Sequence, residues 1–180
     1  MERYESAVKR SLNEIRYAIS MRHAYNNLCT ASDSLGWNFF GYSSIALFND
    51  SFSHTIKVLD EHKDVSAFWY IYRSNREIAD KALEENGIDL EKLKQASKSL
   101  KLIRNKTHFH IDKIRVSDSS SVWKEAGISG DRFNYAQDGV WSVLRSIHLK
   151  CFGEPYLQPI YSGEDISNIV SSVKSSGINI

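Results

Sequence analysis

The seven residues from Arg104 to His110 hold the side chains best suited to chemistry on a phosphate. Arg104 can hold phosphate oxygens, because a guanidinium is always charged and presents a planar fork of donors. His110 can take the proton from a ribose 2′-hydroxyl, since neutral imidazole is a general base near working pH. Asn105 can orient either group by hydrogen bonding. Such residues could cleave RNA without a metal and leave 2′,3′-cyclic phosphate ends.

The segment that leads into this run is basic. No acidic residue occurs from Lys92 to Ile111, and Lys94, Lys98 and Lys101 share one stripe at about 100° per residue. A basic face beside histidines suits an anionic ligand such as RNA. The alternative is a solvated lysine face, which is common. The candidate residues for binding RNA phosphates are Lys101, Lys106 and His108.

Helix geometry limits what one chain's pair can do. On an ideal helix, Arg104 and His110 lie about 120° apart in direction and about 9 Å apart along the axis. One pair is therefore not expected to converge on one phosphate, whereas a two-fold dimer could bring two pairs together. In the alternative interpretation, Arg104 pairs with a carboxylate such as Asp50 or Glu91, and His110 forms a hydrogen bond inside the fold.

The same run resembles the signature of HEPN-fold proteins. In that signature an arginine, often followed by asparagine, precedes a histidine with four to six residues between them; here five intervene. The surroundings resemble the abortive-infection AbiU-like HEPN group. There, a helix similar to the segment 46–60 precedes a motif similar to the segment 102–113.

This resemblance implies a helical bundle that dimerises. Many HEPN proteins are metal-independent endoribonucleases of phage-defence or toxin–antitoxin systems, so an antitoxin or defence-system partner is implied as well. Arg104 and His110 match the catalytic pair, and Asn105 matches the polar residue after the arginine. Phe109 departs from the pattern, because this group usually has a small residue there, and His108 is not part of the pattern. Some HEPN proteins are inactive scaffolds, so the alternative is a non-catalytic module that binds a nucleotide, an RNA or a protein partner.

A zinc site is a competing interpretation of the same residues. His108, His110 and Asp112 also resemble the metal-binding start of the metallo-β-lactamase fold. That motif ends in a further histidine, where this chain has Lys113, and it needs ligands from later strands, where only His148 is available. On a helix, His108 and His110 would point about 200° apart. We therefore expect no metal and no cofactor.

Apolar periodicity predicts an all-α fold. The expected architecture is a HEPN-like up-and-down bundle of about five helices, residues 1–154, followed by a C-terminal extension, residues 155–180, with a short helix. Ser162 and Asp165 have the spacing of a capping box for that last helix. The serine-rich residues 116–121 are expected to form a loop. The five helices are predicted at about residues 4–27, 37–62, 66–86, 90–115 and 131–151.

Composition limits the class of protein. The 180 residues are 42% hydrophobic and 25% charged, which is typical of a globular domain. Cys29 and Cys151 lie too far apart in sequence for a thiolate zinc motif, and they suggest no disulfide framework. The charged N-terminus lacks an apolar signal core, and no stretch approaches the roughly 20 apolar residues of a membrane span, so a cytoplasmic location is expected. The net charge of +1 gives no strong global attraction to nucleic acid, which leaves only a local patch for RNA.

Overall fold

A computed structural model describes residues 2–32, 38–62, 65–108 and 119–176. Within these residues the chain forms α-helices and no strand, which confirms the predicted all-α class. Three of these helices are long, with 31, 22 and 23 residues, and the others have 14 residues or fewer. The helices are α1 (Glu2–Ser32), α2 (Asn38–Leu59), α3 (Phe68–Ser74), α4 (Arg76–Glu85), α5 (Leu90–Ile103), α6 (Ser119–Ala126), α7 (Gly130–Phe152) and α8 (Glu164–Ser175).

The chain divides into two compact units. Unit 1 comprises Met1–Ile15 and Ile56–Tyr156, and unit 2 comprises Arg16–Thr55 and Leu157–Ile180. The candidate residues that the structure describes all belong to unit 1. The proposed boundary between residues 154 and 155 stays a prediction.

The core of unit 1 follows the predicted periodicity. In α5, Leu93, Leu100 and Ile103 are fully buried, and α5 packs against α6 and α7. The sequence predicts that α5 begins at Leu90 with Asp89 as its N-cap. The structure confirms this start, because the Asp89 carboxylate accepts hydrogen bonds from the backbone N–H groups of Glu91 and Lys92. The helix α7 buries its apolar stripe in the same core: Phe133, Ala136, Val140, Leu144 and Ile147.

Two elements of unit 1 differ from the sequence-based expectation. The segment expected to be one helix is broken at Asn75, whose φ of −146° and ψ of 70° separate α3 from α4. Asparagine is a poor helix former, because its side chain competes for backbone hydrogen bonds. The helix α6 begins at Ser119, where a loop was predicted. It is stabilised by the burial of Val122 and by a hydrogen bond of 2.6 Å from the Ser99 hydroxyl to the carbonyl of Ala126.

A buried tryptophan joins the end of α2 to α5. The indole Nε1 of Trp69 donates to the carbonyl of Leu59 at 3.1 Å and to the hydroxyl of Ser97 at 3.0 Å. The Leu59 carbonyl belongs to the last turn of α2, where carbonyls lack a partner within the helix. Because Trp69 is only 4% exposed, water cannot readily replace its indole N–H as the hydrogen-bond donor to this carbonyl. The bridge therefore fixes where the chain leaves α2 relative to α5.

In unit 2 the C-terminal segment is hydrogen-bonded to α1. Asn27 donates to the carbonyl of Ser162 at 3.1 Å, and His23 Nδ1 lies 3.0 Å from the carbonyl of Tyr161. The predicted capping box is wrong, because the residue that precedes α8 is Gly163, at a φ of 80°. Only glycine fits there, since a Cβ would lie 3.0 Å from the carbonyl oxygen of His23.

Unit 2 also shows where the apolar stripe predicted for α2 fails. The spacing of apolar residues at steps of three and four from Ile45 to Leu59 predicts one buried stripe that includes Phe52. Phe52 is buried as expected, but Ile45 is 57% exposed. The N-terminal half of α2 thus presents apolar side chains to solvent.

Two of the glycines with a left-handed backbone, Gly153 and Gly163, allow a matched test of the contact with α1. We expect Gly153→Ala, at a φ of 74° with open space around it, to lower the free energy of unfolding by about 1–2 kcal/mol. Gly163→Ala should lower it further, because the same backbone strain is joined by the close contact with His23. Urea denaturation followed by circular dichroism measures both changes. Equal losses would show that the contact with His23 is not constraining.

Removing the indole donor tests the bridge between α2 and α5. Trp69→Phe keeps an aromatic ring but leaves the Leu59 carbonyl and the Ser97 hydroxyl without their buried donor. We expect a loss of about 1–3 kcal/mol in the free energy of unfolding, measured in urea. The control is Trp141→Phe, at a half-buried ring that contacts Tyr156, which should lose less. The bridge would be unimportant if the two variants proved equally stable.

Candidate functional site

Arg104 lies where regular α-helix ends. The residues Arg104–His108 continue α5 as a π-helical turn, and the backbone N–H of Arg104 donates to the carbonyls of Leu100 and Lys101. Within the predicted α-helix from residue 90 to 115, regular α-helix ends at Ile103, and the angles expected of an ideal α-helix do not apply over Arg104–His108. Residues 109–115 lie outside the described residues. Asn105 and Thr107 are both poor helix formers. Single π-helical turns are frequent at functional sites.

The guanidinium of Arg104 is held by a carboxylate from the end of α2. Its Nη1 donates to Oδ2 of Asp60 at 2.7 Å, and the two side chains are 24% and 18% exposed. Asp60 directly follows the last residue of α2. The carboxylates named from the sequence lie elsewhere, since Asp50 is 3.5 Å from His54 and Glu91 is 2.7 Å from Lys94. Arg104 thus pairs with a carboxylate, as the alternative interpretation predicted, but with Asp60 instead of the residues named there.

Asn105 provides the second contact to Arg104. Its Oδ1 accepts a hydrogen bond of 3.2 Å from Nε of Arg104. The other oxygen of Asp60 accepts from the backbone N–H of His62 at 3.0 Å, which orients the carboxylate. A chain of hydrogen bonds therefore runs from His62 through Asp60 and Arg104 to Asn105, and it fixes the plane of the guanidinium.

Arg104 and Lys101 line a small crevice in unit 1. Its volume is about 10 Å³, which is room for one water molecule and not for a nucleotide. Asp60 and Glu61 also line it, so two carboxylates balance the two cations. An RNA phosphate would therefore have to reach Arg104 from the surface.

The lysines of the basic segment differ in whether a carboxylate pairs with them. Lys106 lies 3.4 Å from the carboxylate of Glu125 on α6. Lys94 is paired with Glu91, and their hydrogen bond raises the pKa of Lys94. Lys98 and Lys101 are exposed. Among the candidate phosphate-binding residues, Lys101 is therefore an exposed cation three positions before Arg104. Lys106, in contrast, is engaged by the carboxylate of Glu125.

The rest of the predicted site lies outside the described residues. His110, Phe109 and Asp112 fall there, and so does the side chain of His108. The catalytic role of His110 and the zinc interpretation stay predictions. In the part of the chain that the structure describes, no group of three or more histidine, cysteine, aspartate or glutamate side chains could hold a metal ion. Nor is any helix there long and apolar enough to cross a membrane.

No protein-family model, curated protein or solved structure matches the chain. The resemblance to HEPN proteins therefore rests on the motif residues themselves. To these motif residues the structure adds the hydrogen-bond partners of Arg104, which are Asp60 and Asn105.

Asp60 is the residue that the sequence analysis missed. It lies 44 positions before Arg104, and nothing in the spacing distinguishes it from the other carboxylates. The available signal was its place directly after the apolar periodic run of α2, where the chain leaves the helix.

A double-mutant cycle tests whether Asp60 and Arg104 act as a pair. Asp60→Asn should lower the free energy of unfolding by about 1–3 kcal/mol, because a charged hydrogen bond that is mostly shielded from water is weakened. Arg104→Gln in the Asp60→Asn background should then cost less than Arg104→Gln in the parent. Urea denaturation of the four proteins measures the coupling. As a control, Lys81→Gln removes a solvent-exposed pair with Glu77 and should leave stability unchanged. Strictly additive effects at positions 60 and 104 would contradict the pairing.

Proposed function

We propose that this chain is a HEPN-type, metal-independent endoribonuclease of a phage-defence or toxin-like system, and that it acts as a dimer through Arg104 and His110. The observation that carries the proposal is the partly exposed guanidinium of Arg104, held at the end of α5 by Asp60 and Asn105. Its position within the Arg-Asn-x-x-x-x-His run is the position that the motif gives to the phosphate-binding arginine.

The contacts of Arg104 support a role in binding a phosphate. A guanidinium has five N–H donors, and Asp60 and Asn105 engage two of them. No other described residue accepts a hydrogen bond from this guanidinium, so its three remaining N–H donors can bind phosphate oxygens. Because the side chain is already ordered, little rotamer entropy remains to be lost when a phosphate binds. Asp60 thus acts as a positioning residue, since its carboxylate orients the arginine without touching the substrate.

The chemistry assigned to the pair needs no further group. His110 removes the proton from the 2′-hydroxyl, and the 2′-oxygen attacks the adjacent phosphorus. The bond to the 5′-oxygen then breaks, and this oxygen takes up the proton that the imidazolium of His110 returns as general acid. The products are a 2′,3′-cyclic phosphate and a 5′-hydroxyl. Arg104 stabilises the charge that develops on the phosphate oxygens, while Lys101, with Lys106 and His108, would hold the neighbouring phosphates.

Cleavage of RNA in excess EDTA tests this proposal. Purified protein is incubated with total RNA and with tRNA, and the parent is compared with His110→Ala and Arg104→Ala. Loss of a general acid–base group should slow cleavage by about 10²–10⁴-fold in His110→Ala. Arg104→Ala should be slowed as well, and the products of the parent should carry cyclic phosphate ends.

Two variants serve as controls for side-chain type. His54→Ala removes a histidine of α2 that stacks on Tyr17, and Arg73→Ala removes an exposed arginine of α3. Neither should change the rate of cleavage. Unchanged cleavage in both His110→Ala and Arg104→Ala would refute the site. Binding of RNA without cleavage by the parent would favour the non-catalytic HEPN module.

A further inference from the structure

A larger cleft of unit 1 opens beside Asp60, the carboxylate that holds Arg104. Its volume is about 430 Å³, and its walls come from the first part of α1, the last turn of α2 and the residues that lead into α3. Asp60 lines both this cleft and the small crevice of Arg104. We call it the Asp60 cleft. Clefts of this volume accommodate small organic ligands, so there is room here for a group attached to a phosphate at Arg104.

The lining of the Asp60 cleft offers both apolar surface and an unused hydroxyl. Val58, Val65 and Ala67 contribute apolar side chains. Ser11 also lines the cleft and is only 3% exposed, yet its hydroxyl forms no hydrogen bond within the part of the chain that the structure describes. Buried polar groups normally have a partner, so this hydroxyl is available to a ligand. A nucleoside combines flat apolar faces with hydrogen-bonding edges, and it therefore matches such a lining.

The unpaired charge at the Asp60 cleft is positive. The carboxylate of Glu14 lies 3.4 Å from Lys57, and that of Asp60 is bound to Arg104. Arg10 lines the cleft and is exposed, and among the described residues no carboxylate pairs with it. The cleft therefore favours a ligand that carries negative charge.

Arg3 extends this positive surface along α1. Its Nη2 donates to the hydroxyl of Ser66 at 3.5 Å, and its Cζ lies 5.6 Å from the centre of the Tyr70 ring. These partners are uncharged, so they position the guanidinium without neutralising it. Arg3 and Arg10 are seven residues apart in α1, which puts them within about 20° in direction and about 10 Å apart along an ideal helix. Two arginines at this separation suit a polyanionic strand better than a single phosphate.

We propose that the Asp60 cleft binds the RNA nucleotide next to the phosphate at Arg104. In this arrangement Arg10 and Arg3 bind phosphates of the same strand, and the Ser11 hydroxyl forms a hydrogen bond with the nucleoside. The inference rests on the proposed function, because RNA is taken as the ligand, but it concerns binding and needs no cleavage. Arg3, Arg10 and Ser11 all lie outside the Arg104–His110 run, so variants there leave the predicted catalytic pair intact.

Fluorescence anisotropy of the full chain with a labelled RNA strand tests the cleft. In the probe, fluorine replaces every 2′-hydroxyl, so the strand cannot be cleaved through a 2′-oxygen. The parent should bind this strand, and Arg10→Gln should raise the dissociation constant at least about fivefold. Each lost phosphate contact should also reduce the salt dependence, by about 0.7 in the slope of log K against log salt. Arg3→Gln combined with Arg10→Gln should weaken binding further, whereas Arg10→Lys should keep most of the salt dependence because it keeps the charge.

The matched control is Arg145→Gln. Arg145 is an exposed arginine of α7 that lies over the Trp141 ring and does not line the cleft. Its replacement changes the net charge by the same amount, and it should leave the dissociation constant and the slope unchanged. Circular dichroism checks that every variant keeps the fold. Equal dissociation constants for Arg10→Gln and Arg145→Gln would overturn the proposal, and so would a parent that does not bind the strand at low salt.

The cleavage assay in EDTA separates this inference from the ribonuclease proposal. Binding that depends on Arg10, in a protein that does not cleave RNA, would uphold the cleft and refute the ribonuclease. Cleavage that depends on His110, with an affinity for the strand that is indifferent to Arg10, would uphold the ribonuclease and refute the cleft.

Discussion

The indole N–H of Trp69 is the interaction on which the arrangement around Arg104 depends. It is a single buried donor shared between the last carbonyl of α2, at Leu59, and the Ser97 hydroxyl on α5. The next residue after Leu59 is Asp60, and Ser97 lies two helical turns before Arg104 on the same helix. The bridge therefore helps to place the carboxylate of Asp60 close to the guanidinium of Arg104.

The pair of Asp60 and Arg104 illustrates a compromise between holding an arginine and keeping it available. Both side chains are partly shielded from water, so their interaction is stronger than that of a surface pair and each charge would be destabilising alone. The carboxylate also offsets the positive potential that would attract a phosphate. With a net charge of +1 for the whole chain, attraction to an anionic ligand has to come from the local lysines. A guanidinium anchored on one side and exposed on another suits selective contact with a phosphate better than general affinity for nucleic acid.

The helix α2 shows that apolar content alone does not decide which residues are buried. Its C-terminal part places Phe52, Val58 and Leu59 in the core, whereas Phe39 and Tyr42 face solvent in its N-terminal part. By sequence the N-terminal part is the more apolar of the two, with seven hydrophobic residues in 38–48 against four in 49–59. The difference in burial depends on which segments of the chain pack against each part of the helix, and that is a long-range property.

The sequence by itself determined the local features of this protein. Periodicity placed the buried stripes of α5 and α7, and Asp89 marked the start of α5, because these features depend only on side chains a few residues apart. The tertiary structure decided the helix α6, the glycine start of α8 and the choice of Asp60 as the partner of Arg104. Each depends on contacts between residues distant in sequence, such as Ser99 with Ala126 or Gly163 with His23. Local spacing carries no information on these contacts, because the free energy that selects them comes from packing and from satisfying buried polar groups across the fold.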